Sequence, residues 1–172
     1  MPFSPSEAEA AQEAGIDLMN SRFNYSNSEL AIKIRKAAPN TFMSFVIPLL
    51  SVPTKDDALK HSFKAMELGA DGIIAVNKDA GGHAGNLNSK ELIDRIAKEC
   101  SLPIISAGGV GTRYGVEKKI DEGYSGLSIG SPFIACEESE ISREYKQACI
   151  DYGKKDIVLT TKISGTACTV IN

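Results

Sequence analysis

Gly72-Ile73-Ile74-Ala75-Val76-Asn77-Lys78-Asp79-Ala80-Gly81-Gly82-His83-Ala84-Gly85 is the stretch on which the reading of this chain turns. Gly72 to Val76 is a short continuous apolar run, the pattern of a strand buried on both faces. It empties into a loop that holds three glycines, Gly81, Gly82 and Gly85, and one of the chain's two histidines. Ser89 to Cys100 then reads as a helix with Ser89 as its N-cap. Glycine leaves the loop backbone unshielded, so a flat or charged ligand can approach closely. His83 carries the only side chain of the loop that titrates near neutral pH without help. A histidine in such a loop is more often a surface residue than a catalyst, so its candidacy as a base depends on the rest of the chain.

Working outward, the same strand-then-helix alternation recurs. Ser6 to Ala14 reads as a helix capped by Ser4 or Ser6 and closed by Gly15, followed by an apolar run from Ile16 to Met19. Asn24 to Asn27 is a polar turn, and Ser28 to Ala37 a second helix broken at Pro39-Asn40. Thr41 to Leu50 is the most β-rich segment, with Pro48 expected at its end. Pro53-Thr54 starts a helix over Lys55 to Leu68, which stops at Gly69. After the glycine–histidine loop come a strand from Pro103 to Ala107, a helix from Arg113 to Glu122 and a strand from Gly126. Ser139 to Tyr152 reads as a further helix, Ile157 to Thr160 as a strand, and the remainder as a polar tail ending at Asn172.

Strands alternating with helices specify a parallel sheet covered by helices. Gly15, Gly69 and Gly123 each close a helix and open a strand at equal intervals, which favours repeated units of the (β/α) TIM-barrel type. A full eight-stranded barrel takes roughly 200–250 residues. Five strands and a sixth near Ile157 are legible in these 172 residues, so the expectation is an α/β, single-domain, incomplete barrel over residues 1–172. Missing strands would leave an open sheet edge and favour self-association, so a homo-oligomer is among the expected partners.

Composition bounds the function. A net charge of -3 argues against a nucleic-acid partner bound by charge. No long apolar run and no signal-like N-terminus are present, so no membrane partner and a cytoplasmic location are expected. Cys100, Cys136, Cys149 and Cys168 are irregularly spaced without a CxxC pair, the pattern of free buried thiols rather than of a metal site. None of them stands beside a histidine in sequence, so none is a candidate nucleophile.

Two further strand ends carry glycine turns: Ala107-Gly108-Gly109 and Ile129-Gly130-Ser131. One helix separates them, which makes them neighbours in the sheet, and backbone N–H groups at such turns form an anion cradle. GGVG is not the dinucleotide fingerprint and no P-loop lysine follows, so a nucleoside triphosphate fits poorly.

With these motifs in order, GADGIIAVNKDAGGHAG, LPIISAGGVGT, GLSIGSPFIACEES and DIVLTTKISGTACTVIN, the chain resembles the nitronate monooxygenase (2-nitropropane dioxygenase) family from about Phe42 to Asn172. The resemblance implies an FMN-dependent barrel oxidoreductase that oxidises alkyl nitronates or nitroalkanes with molecular oxygen. It implies that His83 is the active-site histidine, that Gly81 and Gly82 shape its loop beside the flavin, and that Gly108, Gly109, Gly130 and Ser131 hold the FMN phosphate. No metal is implied. Family members usually carry Glu where Asp79 stands, Arg where Ala84 stands and Gln-Gly where this chain has Val76-Asn77, and their chains are longer. A related flavin-dependent enoyl-acyl-carrier-protein reductase and a catalytically incompetent FMN- or phosphate-binding fragment are the alternatives.

Lesser candidates are His61, read as a helix-surface residue, Arg113 beside the first glycine turn, Asp79 as an orienting partner for His83, and Ser164-Gly165 as a ligand contact.

Overall fold

The computed structural model of the chain describes residues 4–22, 28–47, 55–163, 165 and 168–172. The turn expected at Asn24–Asn27, the Pro48 and Pro53-Thr54 breaks, and Ser164 lie outside these residues.

Five strands, β1 (Leu18–Arg22), β2 (Phe42–Ile47), β3 (Gly72–Val76), β5 (Ile104–Ala107) and β6 (Gly126–Ser128), form one parallel sheet in that order. Each neighbouring pair is joined through a single helix: α2 (Ser28–Ala37), α3 (Lys55–Glu67), α4 (Ser89–Ile96) and α5 (Arg113–Asp121). A doubly wound sheet would reverse its order at a switch point. This one runs in sequence order without reversal, which is the winding of a (β/α) barrel left incomplete, with β1 and β6 as its edges.

The helices are placed by caps that local sequence supplies. Ser4 and Glu7 form a capping box before α1 (Pro5–Glu13), and Gly15 leaves it at φ +77°. For α4 the cap is Asn88, not Ser89. The Asn88 side chain accepts from Glu91 N–H at 2.9 Å while Glu91 Oε2 accepts from Asn88 N–H at 3.2 Å, and the helix ends at Ile96 rather than Cys100. The last helix, α6 (Arg143–Asp151), starts four residues later than the sequence suggested because the Ser142 hydroxyl, not that of Ser139, caps it.

Helices and sheet meet over one apolar layer. Met19, Met43, Phe45, Ile73, Ala75 and Ile104 point from the strands into Ala31, Ile34, Ala65, Leu92, Ile93 and Ile96. Fully burying an isoleucine or leucine side chain stabilises by roughly 1.5–3 kcal/mol, and β3, central in the sheet, is buried from Gly72 to Ala75. That explains why β3 reads as a continuous apolar run rather than an alternating one. Arg35 of α2 ties this layer to the next unit by donating to Gly69 O, at 3.0 Å, and pairing with Asp71.

Two sequence readings are corrected at the C-terminal end. Ile157–Thr160 is a strand, β7, but it does not join the parallel sheet. It pairs antiparallel with β8 (Cys168–Ile171), a strand inside what read as a polar tail, and β8 in turn pairs with β4 (Gly82–His83). The three-stranded sheet β4-β8-β7 thus takes in the histidine loop itself. Its backbone pairing joins segments 87 residues apart, Gly82 with Thr169.

Candidate active site

All the strands of a parallel sheet end on one edge, so the loops after β3, β5 and β6 gather there. Asn77 follows β3 directly. Its N–H donates to Ala107 O at 3.0 Å, extending the β3–β5 ladder by one residue, and the loop then turns over the next strand end. His83 is not in a free loop: β4 is held antiparallel to β8, with Gly82 opposite Thr169 and His83 opposite Cys168. Thr169 Oγ1 donates to Ala80 O at 2.7 Å and lies 3.3 Å from Gly82 O. Gly81, Gly82 and His83 are all solvent-exposed, so the imidazole stands on a fixed backbone at an open surface.

Of the four expected site residues outside this loop, the structure packs three against it: Gly108, Gly109 and Ser131. A side-chain carbon at Gly81 would run into Ser131 Oγ. One at Gly108 would lie 2.6 Å from Ala80 N and 2.7 Å from both Ala80 Cα and Asn77 Oδ1. At Gly109 the neighbour would be Asp79 Cβ, 3.0 Å away. Gly108 and Gly109 also adopt φ of +110° and +72°, which disfavours any side chain. These two glycines are therefore needed for the turn and for the seating of the histidine loop, whatever they bind.

Gly130 differs. Nothing lies within 4 Å of a carbon added there, and Ser131 opens the 3-10 turn Ser131–Ala135 directly after it. Gly130 and Ser131, both exposed, are thus the part of the pair of turns that offers room for an anion. The Cα face of Gly108, by contrast, is filled by the loop.

The lesser candidates sort plainly. Asp79 packs on Gly109. Arg113 is ion-paired with Glu117 at 2.8 Å along α5, its side chain 92% exposed. His61 is half-buried rather than on the surface of its helix, and burial lowers its imidazole pKa while Asp57 works in the opposite direction. Gly165 has open space around it and φ +75°. Cys100 and Cys168 are buried, Cys136 and Cys149 half-buried. Burial raises the Cys100 thiol pKa, and its Sγ lies 3.7 Å from Met66 Sδ. Cys168, which no sequence neighbour links to a histidine, is brought opposite His83, with Sγ donating to Thr160 O at 3.5 Å. Among the described residues, no group of three or more His, Cys, Asp or Glu is placed to hold a metal ion. No helix there is long and apolar enough to cross a membrane.

Sequence reasoning missed the roles of Asn77 and Thr169. Asn77 stood out only as half of the Val76-Asn77 departure, with no sign of its bonds to the loop and the Gly108 turn. Thr169 sits in Cys168-Thr169-Val170-Ile171, whose β-branched content was the available sign of a strand.

Compared with known proteins, residues 45–172 match the family model described as nitronate monooxygenase. The nitronate monooxygenase of Paraburkholderia phytofirmans is 27% identical over 157 residues, 86% of this chain and 40% of that one. A probable nitronate monooxygenase of Bacillus subtilis is 36% identical over 108 residues, 58% of this chain and 31% of that one. Among solved structures, FabK from Thermotoga maritima superposes with a TM-score of 0.78 at 20% identity, covering 99% of this chain and 51% of its own. The nitroalkane oxidase of Streptomyces ansochromogenes gives 0.73 at 17% identity, covering 97% and 48%. These likenesses establish the barrel-type fold. The chain spans between 31% and 51% of the length of these relatives.

Proposed function

The chain belongs to the nitronate monooxygenase family, and from that premise we propose that it carries the histidine-and-glycine part of an FMN-dependent centre that oxidises alkyl nitronates with molecular oxygen. The observation that supports this reading is the meeting of the His83 loop with the two glycine turns, through Gly81 on Ser131 and Ala80 on Gly108. The histidine and the open, exposed turn at Gly130 and Ser131 lie on one side of the sheet.

Bound FMN would supply the redox step. The chain's own residues do the rest. His83 takes a proton from the carbon beside the nitro group onto an imidazole nitrogen, or donates from that nitrogen to the nitronate oxygens. Gly81 and Gly82, without side chains, let a flat ring system approach the loop. Gly130 and Ser131 hold the phosphate through backbone N–H groups and the Ser131 hydroxyl, with Gly108 and Gly109 shaping the adjoining turn. Residues 1–172 act as one barrel-type unit in this reading.

A second reading compatible with the barrel-type fold shared with FabK is a flavin-dependent enoyl-acyl-carrier-protein reductase. NAD(P)H consumption with an enoyl thioester separates the two. The test is a visible absorbance spectrum of the purified chain before and after added FMN, followed by oxygen uptake with a nitronate. A protein-bound flavin band and nitronate-dependent uptake are expected. A chain that stays colourless with FMN present overturns the reading for these residues and leaves a folded remnant of the family.

A further inference from the structure

Asn77 sits where β3 gives way to the histidine loop, and it is completely buried. Every polar group it has is committed. Its Nδ2 donates to Gly108 O at 3.0 Å, and its Oδ1 accepts from Asp79 N–H at 2.8 Å. Its backbone N–H donates to Ala107 O at 3.0 Å, and its backbone carbonyl accepts from both Ala80 N–H and Gly85 N–H at 3.2 Å. Both limbs of the loop, before and after His83, therefore converge on one residue. The same residue is fastened to the glycine turn after β5.

The packing agrees with the hydrogen bonds. A carbon added at Gly108 would collide with Asn77 Oδ1 and Ala80 N together, so loop and turn are in van der Waals contact where the amide bridges them. Buried polar groups are costly unless partnered, and this buried amide has a partner at each end. A glycine at this position would keep the backbone groups but have neither side-chain bond, so the bridge to Gly108 depends on the Asn77 amide itself.

We propose that Asn77 is a positioning residue that locks the His83 loop onto the Gly108 turn, holding the base and the phosphate-side turn as one rigid unit. Its consequence for FMN rests on the function proposed above, while its geometry does not. The lock acts from below the loop, and the Thr169 hydroxyl on Ala80 O fixes the loop from the β8 side.

The test is amide hydrogen exchange on the full chain and on Asn77→Ala, read at Asp79, Ala80 and Gly85 against Ile73 and Ile74 in β3, with FMN titration alongside. Exchange at the three loop amides is expected to rise on the order of 10-fold or more with the β3 amides held, as the loss of a buried hydrogen-bond pair predicts. FMN affinity is expected to fall by a similar factor. Unchanged exchange at the loop amides would overturn the proposal. So would an equal rise at Ile73 and Ile74, which would make Asn77 an ordinary core residue. If Asn77→Ala does not fold, Asn77→Asp keeps the acceptor for Asp79 N–H, loses the donor to Gly108, and should free Ala80 and Gly85 more than Asp79. Should the wild-type chain fail to bind FMN, the functional reading falls while the exchange comparison still decides the lock.

Discussion

Gly81 and Ser131 meet where the loop after β3 crosses the turn after β6, so closely that a side-chain carbon at Gly81 would occupy the space of Ser131 Oγ. The two come from strands that are not neighbours, since β5 lies between β3 and β6. Their contact is what makes one surface of two separate glycine-rich loops.

Because Ser131 Oγ ends a short side chain that can rotate, Gly81→Ala should be tolerated in the fold while displacing the hydroxyl. Residues in direct contact couple by about 0.5–3 kcal/mol in a double-mutant cycle. Gly81→Ala and Ser131→Ala should therefore be non-additive in FMN affinity, and additivity within error would show that the contact is not made in solution.

Gly108 and Gly130 should behave oppositely. At Gly108 an alanine must displace backbone at Ala80 and adopt φ +110°, so overpacking and strain should destabilise by about 2–5 kcal/mol. At Gly130, with open space around it, Gly130→Ala should change stability by less than about 0.5 kcal/mol. If that turn holds the phosphate, Gly130→Ala should still weaken FMN binding. Urea unfolding and flavin titration on both variants give the comparison.

His83→Asn should lower nitronate turnover by about 100-fold or more if the imidazole handles the proton. It should leave FMN affinity nearly unchanged, because the phosphate-side residues are elsewhere in the site. Equal rates for the variant and the wild type would remove His83 from the chemistry.

Stability should fall as pH drops below about 6.5, the ordinary value for an imidazole. Burial lowers the His61 pKa in the folded chain. Between the folded and unfolded values the unfolded state therefore binds more protons and gains on the native state. The loss levels off once the folded imidazole is also protonated. His61→Gln should flatten this limb in urea midpoints taken from about pH 7.5 down to about pH 5. A limb that survives the substitution would have another origin.

How far the chain could be read without coordinates depends on where each instruction is written. Gly72–Val76 is bounded in the structure as its apolar run indicates, and Gly15, Gly69 and Gly123 all take the positive φ of a helix exit. Asn88 was legible too, since Asn88-Ser89-Lys90-Glu91 is a capping-box spacing, but Ser89 is as good a cap by residue type and drew the reading one position too far. Cys168–Ile171 was passed over because four residues of strand pattern say little without a partner.

The sequence by itself determined the succession of strands and helices, hence the parallel order β1-β2-β3-β5-β6 and the edge on which the loops collect. Those features follow from hydrophobic periodicity, caps and glycine breaks, each encoded within a few residues. Only the tertiary structure decided that His83 lies opposite Cys168, that the Cα of Gly108 packs on the loop at Ala80, that Gly81 rests on Ser131, and that Asn77 joins the histidine loop to the Gly108 turn. Such contacts link segments distant along the chain. Their register is set when the sheet closes and the buried polar groups find partners, a condition that no local pattern records.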